Sequence, residues 1–179
     1  SSDLSRPEQL TVGSAGNGTS SHLSGELLKM MAGIKLTHVP YKGLAPAHVD
    51  TIGGQLSLLF DGIVTGVPAA KSGRLRALGV TSPTRWQGAP DIPAIVEAIP
   101  CFEVRGWYGV LAPAGTPRAV LDRLEAEFLA IVKEPAMREQ MLQRGIEPIG
   151  EGAARFGQLL RSETDKWRRV VQDAKLKPD

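Results

Sequence analysis

A loop rich in glycine and hydroxyl side chains follows the first β-branched run of the chain and leads into an amphipathic helical pattern. The loop and its flanks read Leu10-Thr11-Val12-Gly13-Ser14-Ala15-Gly16-Asn17-Gly18-Thr19-Ser20-Ser21-His22. The N–H groups of such a loop can turn inward, and the first turn of a helix adds unpaired N–H groups and a partial positive charge. The sequence therefore predicts an anion-binding loop between a strand and a helix.

The spacing of the glycines separates this loop from two nucleotide-binding motifs. It does not follow G-x-G-x-x-G, no acidic residue closes the next strand, and no Gly-Lys-Ser/Thr follows. Hydroxyl and N–H groups without a lysine suit a carboxylate better than a pyrophosphate. The alternative is a capped helix start, with Thr19 or Ser20 as N-cap. Capping explains one or two of these residues, at about 1 kcal/mol each, and leaves the density of glycines unexplained.

Catalytic and metal-binding arrangements find less support. Serines of the loop, a histidine and Asp61 supply the residue types of a hydrolase, but the chain has no G-x-S-x-G elbow and the nearest histidine directly follows the serines. His22, His38 and His48 lie on separate predicted elements, and Cys101 is alone. We therefore expect a binding protein and not an enzyme, with no metal and no cofactor. A serine hydrolase is the less favoured alternative.

Two of the histidines have ordinary structural interpretations. In the first turn of a helix a cation is disfavoured, which predicts a neutral, packed or hydrogen-bonding role for His22. His38 alternates with apolar residues along a predicted strand, which indicates a half-buried position.

Length and charge limit the class of protein. The 179 residues suffice for one domain, or for one domain and part of another. Lys and Arg total 21 against 19 Asp and Glu, and no basic stripe is interleaved with aromatic residues, so we expect no nucleic-acid partner. No run approaches the ~20 apolar residues of a membrane span, and residues 1–9 lack the apolar core of a signal peptide. We expect the chain to be soluble as given.

Alternating strand and helix patterns position three polar loops, at residues 13–20, 41–46 and 61–63. Such alternation predicts a largely parallel sheet flanked by helices, an α/β fold. Loops at the carboxyl ends of parallel strands gather in one crevice, where ligands bind. Strands are predicted from residue 10 and at residues 35–39, 55–60, 75–81, 102–111 and 146–149. Helices are predicted at residues 47–52, 63–71, 117–133, 135–144 and 153–174, with a helical turn at 94–98.

Several segments together carry a more specific pattern, in consistent order over residues 9–179. They are residues 12–23 (VGSAGNGTSSHL), 38–43 (HVPYKG), 45–47, 60–61, 71–82 (KSGRLRALGVTS), 111–117 (LAPAGTP) and 163–174. This pattern resembles the periplasmic solute receptors of tripartite tricarboxylate transporters, the Bug receptors. The resemblance implies a two-lobed periplasmic-binding-protein type II fold, a location in the periplasm, and capture of a small carboxylate for delivery to the membrane permease subunits. The sensing domain of a transcription regulator, which shares this fold, is the other alternative and is favoured over the hydrolase.

The resemblance also implies a division of the chain. Receptors of this family begin with a stretch of the first lobe that has no counterpart here, so we expect the fold to be truncated at its N-terminus. Residues 1–9 then form a linker or the start of a crossing segment, residues 10–104 the second lobe, and residues 105–179 the C-terminal part of the first lobe. An uncovered sheet edge would need another copy of the chain, which predicts a homodimer.

The ligand-binding residues implied by the resemblance come from the three polar loops. They are Ser14, Ala15, Gly16, Thr19 and Ser20 from the first loop, Gly43, Leu44 and Ala45 from the second, and Asp61 from the third. We expect the Thr19 and Ser20 hydroxyls and nearby N–H groups to donate to one carboxylate of the ligand. Asp61 either orients loop amides, accepts a hydrogen bond from the ligand, or is simply the N-cap of the helix that follows.

Overall fold

The computed structural model describes residues 10–176, so the predicted linker at residues 1–9 lies outside the described residues. The chain divides into two compact units. One contains the described residues up to Gly106 together with those from Trp167 onward, and the other is Trp107–Lys166. The predicted boundary between residues 104 and 105 lies close to the first of these divisions, whereas the end of the last helix groups with the first unit. The assignment of the two parts to lobes stays a prediction.

A small parallel sheet organises the first unit. Its strands are β1 (Thr11–Ser14), β2 (Thr37–Pro40) and β3 (Leu58–Leu59), in the order β2-β1-β3. Both neighbours pair with β1 in parallel, which confirms the expected α/β architecture. Each strand is followed by a helix: α1 (Ser20–Ala32), α2 (Leu44–Ile52) and α3 (Ile63–Lys71). All three helices therefore begin at the carboxyl edge of the sheet, the place where ligands bind in open α/β sheets.

Apolar side chains from distant parts of the sequence close the core of the first unit. Phe102 is 0% exposed and packs with Leu27, Val104 and Val170, the last of these from the C-terminal helix. Phe60, just after β3, stacks on Phe102 with 6.4 Å between the ring centroids. A second cluster joins β1 to the strand beside it through Leu10, Val12 and Leu36. Burial of these side chains holds the sheet and its helices together.

Three of the predicted strands are wrong. Residues 102–111 and 146–149 form no strand, and in 75–81 only an isolated bridge between Val80 and Ala94 is present. The predicted strand at 55–60 shortens to Leu58–Leu59. A strand exists only beside a neighbour that supplies a ladder of hydrogen bonds. Within residues 10–176 these segments make a few separate backbone hydrogen bonds but no ladder. The Val80 N–H donates to the Pro93 carbonyl at 2.8 Å, and the Val104 N–H donates to the Thr81 carbonyl at 3.0 Å.

Helices dominate the second unit. They are α4 (Arg118–Lys133), α5 (Pro135–Gln143) and the first part of α6 (Ala153–Asp173), each within two residues of its predicted bounds. The predicted helical turn near residue 96 is a 3₁₀ helix, Ile95–Glu97, in the first unit. Trp107 packs edge-on against Phe156 with 5.4 Å between ring centroids. Among the described helices, none combines the length and apolar character needed to cross a membrane.

Replacing the buried ring of Phe102 tests the core of the first unit. Phe102→Ala should lower the free energy of unfolding by about 3–5 kcal/mol, because it removes the transfer energy of the ring and leaves a cavity. Tyr108→Ala is the control, since Tyr108 is 89% exposed and should change stability by no more than about 0.5 kcal/mol. Urea unfolding of both variants measures the difference, and equal losses would contradict the assignment of the core.

Candidate functional site

The loop after β1 is anchored by a buried hydroxyl. Ser14, the last residue of β1, is 0% exposed. Its Oγ accepts a hydrogen bond from the Gly16 N–H at 3.1 Å and lies 2.6 Å from His38 Nε2. The Gly16 carbonyl oxygen is 3.2 Å from the same hydroxyl, which can donate to it. The Ser14 hydroxyl therefore makes all its hydrogen bonds within the protein and fixes the turn by which the chain leaves β1.

Two further hydroxyls brace the loop from inside. Thr19, one of the two residues predicted as N-cap of α1, occupies that position but makes no side-chain capping bond. Its hydroxyl instead donates to the Gly16 carbonyl at 2.7 Å and lies 3.1 Å from Ser21 Oγ. Ser21 Oγ accepts from the Ala15 N–H at 3.0 Å. The proton of the Thr19 hydroxyl is therefore already used inside the loop.

Two histidines lie face to face against this loop. The rings of His22 and His38 stack with 3.8 Å between centroids and 9° between planes. His22 Nδ1 accepts a hydrogen bond from the Gly18 N–H at 3.0 Å, so His22 is the hydrogen-bonding residue that its position predicted. Burial lowers the pKa of both rings, and for His38 the nearby His22 lowers it further. Both rings are therefore neutral at pH 7.

The first turn of α1 presents unpaired N–H groups at the open end of the loop. The Leu23 N–H donates to the Thr19 carbonyl at 2.9 Å, and intrahelical bonding begins there. The N–H groups of Ser20, Ser21 and His22 precede that bond and have no helical acceptor. The Ser20 side chain is exposed. This arrangement can donate several hydrogen bonds to an anion, with the helix dipole adding to their effect.

The second loop is joined to the first by main-chain hydrogen bonds. The Gly43 N–H donates to the Ala15 carbonyl at 3.1 Å, and the Tyr41 N–H to the Ser14 carbonyl at 3.0 Å. Gly43 has φ 107° and ψ 166°, a conformation that residues with a side chain rarely adopt. The structure thus brings the predicted residues of the first two loops together.

The start of α2 offers two N–H groups that have no acceptor within the helix. Leu44 and Ala45 occupy its first two positions, and Pro46, which follows them, has no N–H. The Leu44 and Ala45 N–H groups therefore have no acceptor within the helix. They face the same edge of the sheet as the first turn of α1, since β1 and β2 run in parallel.

Asp61 lies at the carboxyl end of the third strand, but its carboxylate is occupied. Oδ2 is 2.7 Å from His48 Nδ1, and Oδ1 accepts from the Thr65 hydroxyl and the Gly62 N–H, both at 2.8 Å. The N-cap of α3 is Gly62, so the interpretation of Asp61 as N-cap is wrong by one residue. Its carboxylate nevertheless fixes the first turn of α3 and ties it to α2 through His48.

Sequence reasoning missed the residues that hold these loops in place. Ser21, His38 and His48 each contact a predicted site residue or its neighbour, and none was assigned to the site. His38 lies on β2 opposite Val12, two residues before the end of β1. The alternation of polar and apolar residues along β2 was the available signal, but only the parallel register reveals what His38 faces. Within residues 10–176, no three His, Cys, Asp or Glu residues form a group that could bind a metal ion.

Comparison with known proteins identifies relatives over nearly the whole chain. A family model described as "Tripartite tricarboxylate transporter family receptor" matches residues 4–176. The "UPF0065 protein in tcbD-tcbE intergenic region" of Pseudomonas sp. (strain P51) is 40% identical over 172 residues, which cover 95% of this chain and 51% of that protein. The chain spans about half the length of most of the curated relatives it matches.

Solved structures of similar proteins share the fold. "R. palustris Rpa4515 with adipate" has a TM-score of 0.82 and 32% identity, covering 98% of this chain and 59% of that one. "Structure of periplasmic binding protein BugD" has a TM-score of 0.77 and 31% identity, covering 98% and 60%. These likenesses confirm the expected periplasmic-binding-protein fold, of which this chain corresponds to a part.

The backbone of Gly43 offers a direct test of the second loop. Gly43→Ala should lower the free energy of unfolding by about 1–3 kcal/mol, because its conformation is strained for any residue with a Cβ. No atom lies within 4 Å of the added carbon, so the cost is one of backbone conformation and not of space. Gly62→Ala is the matched control, because Gly62 is also an N-cap but has the ordinary φ of −69°. Equal effects of the two substitutions on thermal unfolding would refute this account of the loop.

Proposed function

The chain belongs to the tripartite tricarboxylate transporter receptor family, and from that premise we propose that it captures a small carboxylate outside the cytoplasm for delivery to the permease. The observation that carries the proposal is the pairing of two helix starts at one sheet edge. The hydrogen bond from the Gly43 N–H to the Ala15 carbonyl ties the loop before α1 to the loop before α2. A carboxylate placed there would accept from both helices. One similar structure is described with adipate, a dicarboxylate.

Main-chain groups are the principal donors in this proposal. The N–H groups of Ser20, Ser21, Leu44 and Ala45 have no helical acceptor. Charge-assisted hydrogen bonds are worth ~1.5–3 kcal/mol each, so a few of them support micromolar binding once the cost of association is subtracted. Ser20 adds an exposed hydroxyl. Thr19 acts through the loop instead, since its hydroxyl donates to the Gly16 carbonyl.

Asp61 has a positioning role in this proposal. A carboxylate beside the ligand would repel an anion, but the Asp61 carboxylate accepts hydrogen bonds from Thr65 and Gly62 and contacts His48. These contacts occupy its oxygens and orient the Gly62 N–H.

The arrangement of Ser14 and His38 does not favour a hydrolase. Their side chains are 2.6 Å apart, the separation of a nucleophile and its base. Ser14 is 0% exposed, however, and its oxygen is surrounded by the loop it anchors. The family is one of transport receptors and not of enzymes. The pair is therefore structural. Nothing in the comparisons favours the sensing domain of a regulator.

Binding of a carboxylate can be measured on the chain as it stands. Calorimetry with adipate, succinate, citrate and malate should give saturable binding by at least one of them. Ser20→Ala should weaken that binding about tenfold or more, the value of one hydrogen bond to a charged group, and leave the melting temperature unchanged because Ser20 is exposed. Ser72→Ala is the control. Ser72 caps the C-terminus of α3, the end of that helix away from the candidate site, so this variant should bind normally. Unchanged affinity in Ser20→Ala would contradict the assignment of the first loop.

We also propose that the chain forms a homodimer through α4. Four apolar side chains recur every three or four residues along this helix, on one face. They are Val120, Leu124, Phe128 and Ile131, exposed by 47%, 44%, 42% and 39%. A second copy that presents the same stripe would cover these side chains in a two-fold arrangement, in which each stripe packs against its counterpart.

Light scattering tests the dimer. The chain should have twice its mass of 19.1 kDa, and Leu124→Glu should return it to the monomer mass because a carboxylate would be buried in the stripe. Gln143→Glu makes the same change of charge on α5 and should leave the mass of the complex unchanged. A monomer in the unsubstituted protein at micromolar concentration would refute the proposal.

A further inference from the structure

We propose that His22 is the positioning residue of the carboxylate loop and holds it only while its ring is neutral, so that carboxylate affinity falls as the solution becomes acidic. The inference rests on the proposed function, because it assigns a role to a residue beneath the same loop. It starts from the contact between the Gly18 N–H and His22 Nδ1, at 3.0 Å. Gly18 lies at the outer turn of the loop, and this is the bond that joins it to α1.

The donor in this bond fixes the proton on the ring. A backbone N–H can only donate, so His22 Nδ1 must be the unprotonated nitrogen and Nε2 must carry the proton. Protonating the ring places a second N–H on Nδ1, directly opposed to the Gly18 N–H. The two groups cannot both keep their positions. The loop and the ring must then separate, because neither nitrogen has a lone pair left to accept.

Burial and stacking make the neutral ring the form that the fold requires. His22 is 6% exposed and lies against His38, whose ring is parallel to it at 3.8 Å. His38 Nε2 contacts Ser14 Oγ at 2.6 Å, and Ser14 in turn accepts from the Gly16 N–H. The loop is therefore held at its start by the pair of Ser14 and His38, and at its outer turn by His22.

The groups that face His22 come from its own helix, α1, and from β2. On α1, Glu26 Oε1 lies 3.7 Å from His22 Nε2 and favours a proton on the ring. Lys29 lies 2.9 Å from Glu26 and offsets that charge. On β2, the facing group is His38. The combined result is a lowered pKa for His22, with burial as the largest cause, Glu26 opposing it and Lys29 adding to it.

Protonation of His22 has two effects on carboxylate binding, and they have opposite signs. The charge of a protonated His22 would attract a carboxylate through the helix start. The opposed N–H groups would instead displace Gly18, which directly precedes the N-cap of α1, and would disturb the helix start that presents the donors. We expect the displacement to prevail, because it acts on several hydrogen bonds to the ligand at hydrogen-bond distance, whereas the charge is partly neutralised by Glu26.

Two substitutions at one position separate the acceptor from the ring. His22→Asn places an amide oxygen close to the position of Nδ1, so it keeps an acceptor for Gly18 and cannot be protonated. His22→Phe keeps a flat ring to stack on His38 and loses the acceptor. Adipate affinity is measured by calorimetry from pH 7.5 to pH 5.0 for the full chain and both variants.

The expected result is a difference in pH profile. The unsubstituted chain should lose about tenfold in adipate affinity over this range, the factor that corresponds to one hydrogen bond. His22→Asn should bind as tightly at pH 7.5 and follow only the protonation of adipate itself. His22→Phe should bind about tenfold more weakly at pH 7.5 and show the same shallow profile as His22→Asn.

A measurement without ligand tests the contact between Gly18 and His22 separately from the proposed function. In ¹⁵N-labelled protein, the Gly18 amide resonance should titrate below pH 6.5 together with the His22 ring. If adipate binds at no pH, the proposed function fails for this ligand, and the Gly18 titration alone decides the role of His22. A Gly18 resonance that ignores the His22 titration would overturn the proposal. The unsubstituted pH profile persisting in His22→Asn, or normal affinity in His22→Phe, would overturn it as well.

Discussion

The conformation of the first loop depends on one constraint, the complete burial of the Ser14 hydroxyl at the end of β1. A buried hydroxyl without a partner costs about 1–3 kcal/mol, so the chain around it must supply hydrogen bonds. His38 from β2 and the main chain of Gly16 supply them here. Because His38 lies on β2 and Gly16 in the loop, the pairing of β1 with β2 helps to set the conformation of the loop. Among the described residues, no fully buried side-chain nitrogen or oxygen lacks a partner.

The fold was predictable from the sequence wherever the signal was local. The helix α3, Ile63–Lys71, has its predicted bounds, since a glycine precedes it and another follows it closely. Strands depend on partners that are distant in the sequence, and three of the six predicted strands did not form. Residues 102–111 alternate and contain β-branched and aromatic side chains, yet Phe102 enters the core and the rest finds no ladder within residues 10–176. Periodicity indicates which residues can form a strand, whereas the strand itself requires a neighbour.

The candidate site, too, was predictable where the signal was local and not where it depended on distant residues. The glycines and hydroxyls between β1 and α1 indicated an anion loop, because their types and spacing are sufficient for that interpretation. The direction of each hydroxyl proton was not accessible. Thr19 was expected to meet the ligand, and its hydroxyl donates to the Gly16 carbonyl. Asp61 was expected to orient loop amides, to accept a hydrogen bond from the ligand or to cap the next helix, and His48 and Thr65 contact its carboxylate. These outcomes depend on which distant groups the fold places nearby.

The central claim is that the starts of α1 and α2 together bind one carboxylate group. Titration of ¹⁵N-labelled protein with adipate, followed by amide chemical shifts, tests it most directly. The account predicts that the amides of Ser20, Ser21, Leu44 and Ala45 shift together and saturate at one ligand concentration. Saturable shifts that leave these four amides unmoved would place the carboxylate elsewhere and contradict the claim.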